Sequence, residues 1–218
     1  MGLADYIGKY WAGAEAMYGV IIAMTFTSAL RGYPVMVEVV IQRVVYAALF
    51  CCIAWGIADG LFYLWERNYI IRQENRIIEL SHSAQQKESP RSLIGEQLDD
   101  TILRNIPRED RFQLYDKLSQ VLSGVNSQKN VSTREAGTIV LGTFVRSAGA
   151  GLIVVAPFYV IGNVELALQI SNLAGILLLF GIGYVRSLER DVISRVIFGI
   201  GTSLIGIVVA GITTLLGG

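Results

Sequence analysis

Charge is scarce in this chain, and so are the residues on which most catalysis and metal binding rest. Of 218 residues, 17% are charged and 53% hydrophobic, whereas a soluble domain carries about 25% charged residues. With a positive mean hydropathy, the composition excludes water as the main solvent. The single histidine, His82, sits in the polar stretch Ser81-His82-Ser83, and the only cysteines, Cys51 and Cys52, are adjacent within an apolar run. They build neither a Cys/His metal cluster nor a staple to distant cysteines, and the two cysteines read as small buried hydrophobes. There is no nucleophile elbow and no phosphate loop of the Walker type, so an enzyme and a permanently bound cofactor are not expected. Net charge is also missing, with 18 Lys and Arg against 18 Asp and Glu, which removes the electrostatic case for nucleic acid.

What the chain has is a sorted layout. Residues 66–135 hold 22 of the 36 charged residues, 11 of each sign, while 16–30, 44–58, 147–164, 166–185 and 196–218 carry none. A helix needs about 20 mostly apolar residues to cross about 30 Å of hydrocarbon. The last three runs nearly or fully reach that length; the first two do so only by taking in Trp11 or Glu15, and Asp59. The expectation is an all-α integral membrane bundle of five transmembrane helices, two in 1–65 and three in 136–218, with a helical insert at 66–135 between spans two and three. Residues 1–10 have Lys9 as their only positive residue and no cleavage site follows, so the first span is expected to be retained. Lys9, Arg67, Arg72, Arg76, Arg134, Arg186, Arg190 and Arg195 fall on one side of such a bundle, against Arg31 and Arg43. That bias places the amino terminus and the insert in the cytoplasm and the carboxyl terminus opposite, in a multi-pass protein whose first partner is the lipid bilayer.

Span one is expected over 11–30, ending at Arg31-Gly32-Tyr33-Pro34. Span two, over 34–65, exceeds the bilayer at roughly 48 Å. Steps of four and three along it put Glu38, Gln42, Val45, Leu49, Cys52, Gly56, Asp59, Tyr63 and Glu66 on one face, and Val40, Ala47, Phe50 and Leu61 on the other. A polar stripe in a membrane helix faces the bundle interior or a water-filled path, because a lipid-facing carboxylate costs about 2.5–3.5 kcal/mol. In the insert, helices are expected to about residue 85, then over 95–105 and 107–123, with a break at Lys87-Glu88-Ser89-Pro90 and Phe112, Tyr115, Leu118 and Leu122 sharing one face. Ser132-Thr133-Arg134-Glu135 reads as a capping box opening span three. Ala148-Gly149-Ala150-Gly151, and Gly206 with Ala210, are packing signals; Glu165, Gln169 and Asn172 share a face of span four.

The chemistry available is oxygen chemistry at membrane depth. Glu15 and Asp59 fall inside the spans, with Glu38 nearer the outer surface, and converging carboxylates are what hard divalent cations prefer. Two readings of Asp59 stand side by side: an ion ligand, or a structural partner of Arg146. Arg146 in turn either reaches back to the interface or pairs with a carboxylate inside the bundle. Glu96, Asp99 and Asp100, with Glu109, Asp110 and Asp116 nearby, make an acidic face in the insert, read either as a metal collector or as a solvated surface.

This layout resembles the vacuolar iron transporter-like family. Ile57-Ala58-Asp59-Gly60-Leu61 with Asn68-Tyr69 is similar to that family's Ala-Asp-Gly and Asn-Tyr pattern at the end of span two, and Ala156-Pro157-Phe158 to its Pro-containing exit from span three. The resemblance implies a homodimer that moves Fe(II)- or Mn(II)-type divalent cations out of the cytoplasm in exchange for protons, with Asp59 as a pathway ligand. Tyr18 stands where the family has its first-span Asp, with Glu15 one turn earlier, and the insert lacks the family's repeated Glu-x-x-Glu spacing. The implied metal set is Asp59, Glu15 and Glu38, with Tyr18 on the path and Arg146 as counter-charge. The alternative is a non-transporting membrane scaffold or regulatory protein that kept the bundle.

Overall fold

The computed structural model describes residues 3–32, 38–82, 90–99, 101–188 and 190–215, and all regular structure in them is helical. In chain order the helices are α1 (Leu3–Ala29), α2 (Glu38–His82), α3 (Pro90–Leu98), α4 (Arg108–Leu122), α5 (Thr133–Val155), the single turn α6 (Pro157–Val160), α7 (Val164–Arg186) and α8 (Val192–Leu215). They form two compact units, one of residues 1–64 and 133–218, the other of 65–132. The boundaries fall close to the edges of the charge-rich block, and α2 contributes to both units.

Four helices, α2, α5, α7 and α8, are long and apolar enough to cross a membrane. Their outward faces carry Phe50, Leu61, Leu141, Leu173 and Ile197, all more than half exposed. An apolar surface of that extent is the mark of a membrane-embedded protein. The fifth expected span, α1, does not qualify by composition among the described residues. Its physical setting explains why. α1 is an interior helix: Ala12, Ala14, Glu15, Val20, Ala23, Thr27 and Ser28 are all buried, and its small and polar side chains meet other helices. It also starts at Leu3, well before the expected Trp11, and breaks at Gly8, whose φ of 82° lies in the left-handed region that glycine adopts at no steric cost.

The core of the first unit joins Val20 and Met24 of α1, and Leu30 in the 3-10 turn that follows it, to Val45, Ala48 and Cys52 of α2, Val154 of α5 and Leu179 of α7. The stripe expected on α2 is therefore buried in its middle, at Val45, Cys52 and Gly56, whereas Glu38, Gln42 and Glu66 at its ends are exposed. Cys52 is fully buried and Cys51 partly so. α5 ends at Val155, and Pro157 opens α6, where a missing N–H costs nothing. Asn163 caps α7 by accepting from Leu166 N at 3.0 Å.

Asp191 precedes α8, accepting from Ser194 Oγ at 2.7 Å and Ser194 N at 3.1 Å. These bonds hold its carboxyl below the usual carboxylate range. A carboxyl held low by folding stabilises above its unfolded value of about 3.9, and that contribution disappears as pH falls through the folded value. Asp191→Ala should lower the melting temperature at neutral pH, with the gap to wild type closing in acid, as read by a pH series of thermal melts.

In the second unit α3 and α4 pack on the α2 segment through Ile77, Ile94 and Tyr115, with Phe112, Leu118 and Leu122 around them. The face expected on α4 is the one used. The preceding helix is shifted: it runs over Pro90–Leu98 and opens at Pro90, followed by a 3-10 turn at Ile102–Asn105, instead of spanning 95–105. Proline breaks a helix from within, yet it suits a first helical turn, and Pro90 takes that position in α3. Residues 87–89 of the expected break, and Tyr33 and Pro34, lie outside the described residues.

An extended segment returns along the α2 helix in this unit. Asn68 Oδ1 accepts from Val131 N at 3.2 Å, and Asn75 accepts from Gln128 N at 2.6 Å and donates to Gln128 O at 2.8 Å. His82 Nε2 donates to Val125 O at 3.0 Å. The helix residues are spaced by seven and the strap residues by three. Seven helical residues rise about 10.5 Å and three extended ones about 10 Å, so the two periods match. Asn75→Ala removes two bonds at the centre of this register, and at about 1 kcal/mol net per bond residues 125–131 should exchange amide hydrogens and be cut by protease several-fold faster than in wild type.

Candidate functional site

The two carboxylates expected at membrane depth meet. Glu15 projects from α1 and is fully buried; its Oε1 accepts from Tyr63 Oη at 2.9 Å. Its Oε2 is buried without a hydrogen-bond partner. Asp59, one turn before Tyr63 on α2 and partly buried, lies within interaction distance of the Glu15 carboxyl and of the Trp55 indole on the preceding turn. Arg146 of α5 is close enough to act on Glu15 electrostatically, and its Nη1 donates to Ala12 O at 2.6 Å.

Small residues make this meeting possible. A Cβ on Gly56 would come within 2.8 Å of Phe144 Cα, and one on Gly60 within 2.7 Å of Val140 Cα. Gly19 of α1 touches the Ser147 backbone so closely that no side chain fits. Ser147 Oγ donates to Cys52 O at 2.9 Å and the Cys52 thiol to Gly19 O at 3.3 Å, tying α5, α2 and α1 together beside the acidic pair. Such backbone-to-backbone contact is how membrane helices gain packing energy without a hydrophobic driving force. Within the expected small-residue run, Gly151 meets the Cys52 side chain, whereas Gly149 has open space.

Tyr18 stands beside the Trp55–Tyr63 face of α2. Its ring stands edge-on to Trp55 with centroids 6.2 Å apart, and Trp11 tilts against Tyr63 at 6.5 Å. Aromatic rings thus flank the pair on both sides. Glu38 is apart from it: 21 residues before Asp59 on one helix is about 32 Å, and Glu38 accepts there from Gln42 Nε2 at 3.2 Å. The expected three-carboxylate set is therefore a pair, Glu15 and Asp59, plus the Tyr63 hydroxyl. Among the described residues no three His, Cys, Asp or Glu converge in metal-binding geometry.

Sequence reasoning missed Tyr63 and Trp55, although Tyr63 was already on the Asp59 face; that face meets α1, so a hydroxyl one turn from Asp59 reaches the Glu15 carboxyl across the helix contact. Two of the acidic residues of the insert are engaged internally: Asp99 accepts from Tyr115 Oη at 2.6 Å and Arg111 Nη1 at 2.7 Å, and Asp116 pairs with Arg91, while Glu96, Glu109 and Asp110 are exposed. Asp100 lies outside the described residues. On α7, Glu165 and Gln169 are exposed and Asn172 half-buried.

Fold and site together define a membrane-embedded helical protein with an acidic pair between α1 and α2. No family model, no curated protein and no solved structure matches the chain.

Gly60→Leu should drive α2 off α5 and move Asp59 away from Glu15. The expected result is a lower melting temperature in detergent together with protease cleavage inside α2 that wild type resists.

Proposed function

We propose that the chain is a cation carrier in which Glu15 and Asp59 form the ion-handling pair. The observation that carries this reading is a fully buried carboxyl with one oxygen unpartnered, set beside a second carboxyl in an apolar bundle. Adjacent carboxylates in such surroundings demand a proton or a metal cation between them. A hard divalent ion of the Fe(II) or Mn(II) type takes oxygen ligands, and it competes with protons for the same atoms, which couples metal movement to proton movement in the opposite sense. Two carboxylates and a phenol fall short of the six oxygen ligands such ions take. Waters, backbone carbonyls or a second copy of the chain complete the set. In this reading α1 is the fifth span, the 66–135 insert is cytoplasmic, the carboxyl terminus is opposite, and export from the cytoplasm is the direction of flow.

One observation favours a second reading, a scaffold without transport. A tyrosine, Tyr18, with its ring packed against Trp55, occupies the position where the resembling family carries its first-span Asp. Proteoliposomes separate the two. Wild type should carry Fe(II) or Mn(II) with accompanying proton movement, and Asp59→Asn should reduce flux to the protein-free background while the melting temperature holds. Flux retained in Asp59→Asn removes the pair from the mechanism; no flux in wild type leaves the scaffold.

A further inference from the structure

A second charged feature borders the acidic pair on the Arg146 side. Ala4, Ala12, Gly13 and Ala16 of α1, Arg146 of α5 and residues between Leu177 of α7 and Leu188 just past its end line an open cavity of about 800 Å³. That is within the size range of sites for ligands. The α1 wall is made of small residues that leave space instead of filling it. The α7 wall is apolar, with Leu177, Val185 and Leu188 half or more exposed, so the cavity has an apolar edge on the outer surface of a membrane-spanning helix.

Two guanidiniums line this otherwise apolar space. Arg146 spends one of its five donors on Ala12 O. The Arg186 stem lies over Gly13, where a Cβ would come within 2.8 Å of Cδ, and its Nη1 faces Met17 Sδ at 2.9 Å. Just beyond Arg186 the positive charge continues. Arg190 stacks over the Phe198 ring at 4.6 Å, and Arg195 donates to Arg190 O at 2.8 Å and to Leu188 O at 2.6 Å. The Glu15 carboxyl acts on Arg146, and Asp191 accepts from Ser194. The cavity thus has a cationic end and an apolar flank reachable sideways.

We propose that this cavity binds an anionic phospholipid, its phosphate held by Arg146 and Arg186 and an acyl chain lying along Leu177, Ile182 and Val185. Guanidinium forks match phosphate oxygens, and basic pockets between membrane helices are a recurring headgroup site. An apolar side opening suits an acyl chain and gives a free anion nothing. The end of α7 that carries Arg186 is the end expected, from the charge bias, in the anionic, cytoplasmic leaflet. The proposal does not depend on cation transport.

Native mass spectrometry of the full chain with phosphatidylglycerol or phosphatidylcholine of equal chain length tests it. Phosphatidylglycerol adducts should survive activation that strips phosphatidylcholine, and Arg186→Gln should weaken them by about fivefold. Gly181 lines the cavity, and a Cβ there meets nothing within 4 Å, so Gly181→Phe should fill the space and abolish the adducts while the melting temperature in phosphatidylcholine stays unchanged. Equal retention of the two lipids overturns the proposal, as does phosphatidylglycerol binding indifferent to both variants. Displacement by millimolar inorganic phosphate assigns the site to a free anion, and a dimer that Gly181→Phe dissociates assigns it to a second copy; either result overturns the lipid reading.

Discussion

A carboxyl group removed from water constrains everything around it. Glu15 is fully enclosed, and the desolvation of an ionisable group is recovered only through neighbours placed within hydrogen-bonding distance. Tyr63, Asp59 and Arg146 come from two different helices, and they can gather round Glu15 only because Gly19, Gly56 and Gly60 let backbones touch. The close helix packing and the polar cluster are therefore one feature. Glycine spacing on α1 and α2 sets where the carboxyls meet, and the carboxyls explain why an interior helix tolerates being less apolar than a lipid-facing one.

Much of the architecture was legible from the distribution of charge. Charge-free runs are a direct record of contact with hydrocarbon, so α2, α5, α7 and α8 could be located from composition alone, as could the charge-rich block that forms its own unit. α1 was harder for a physical reason: a helix surrounded by other helices is selected for fit, and Ala12, Ala14 and Thr27 carry no strong hydropathy signal. In the insert the amphipathic face of α4 could be read because Phe112, Tyr115, Leu118 and Leu122 repeat at helical spacing. The start of α3 could not, because proline is ambiguous between ending one helix and beginning the next.

The site was half legible. Asp59 stands out in any reading, since an acidic residue amid apolar ones has few reasons to be there, and its convergence with Glu15 follows from both lying one span's length from the same connection. The exclusion of Glu38 is a matter of distance along a single helix, which a periodic pattern conceals: a stripe assigns residues to a face and says nothing of depth. Arg146 shows a similar limit. Its options in sequence were solvent or a carboxylate, and the bond it makes is to a backbone carbonyl, Ala12 O, a partner that no side-chain pattern reveals.

The strap along the α2 helix has a further consequence. Asn68, Asn75 and His82 are read off by Val131, Gln128 and Val125 like marks on a vernier, two scales of different pitch that coincide at three points. Insertion of one residue between 125 and 131 would leave only one side of the insertion in step, and insertion of one residue between 68 and 82 would rotate the downstream mark by about 100° away from the strap. The connection leading into α5 is thereby held to a fixed length, a rigidity achieved in a segment without regular secondary structure and with hardly any apolar core of its own.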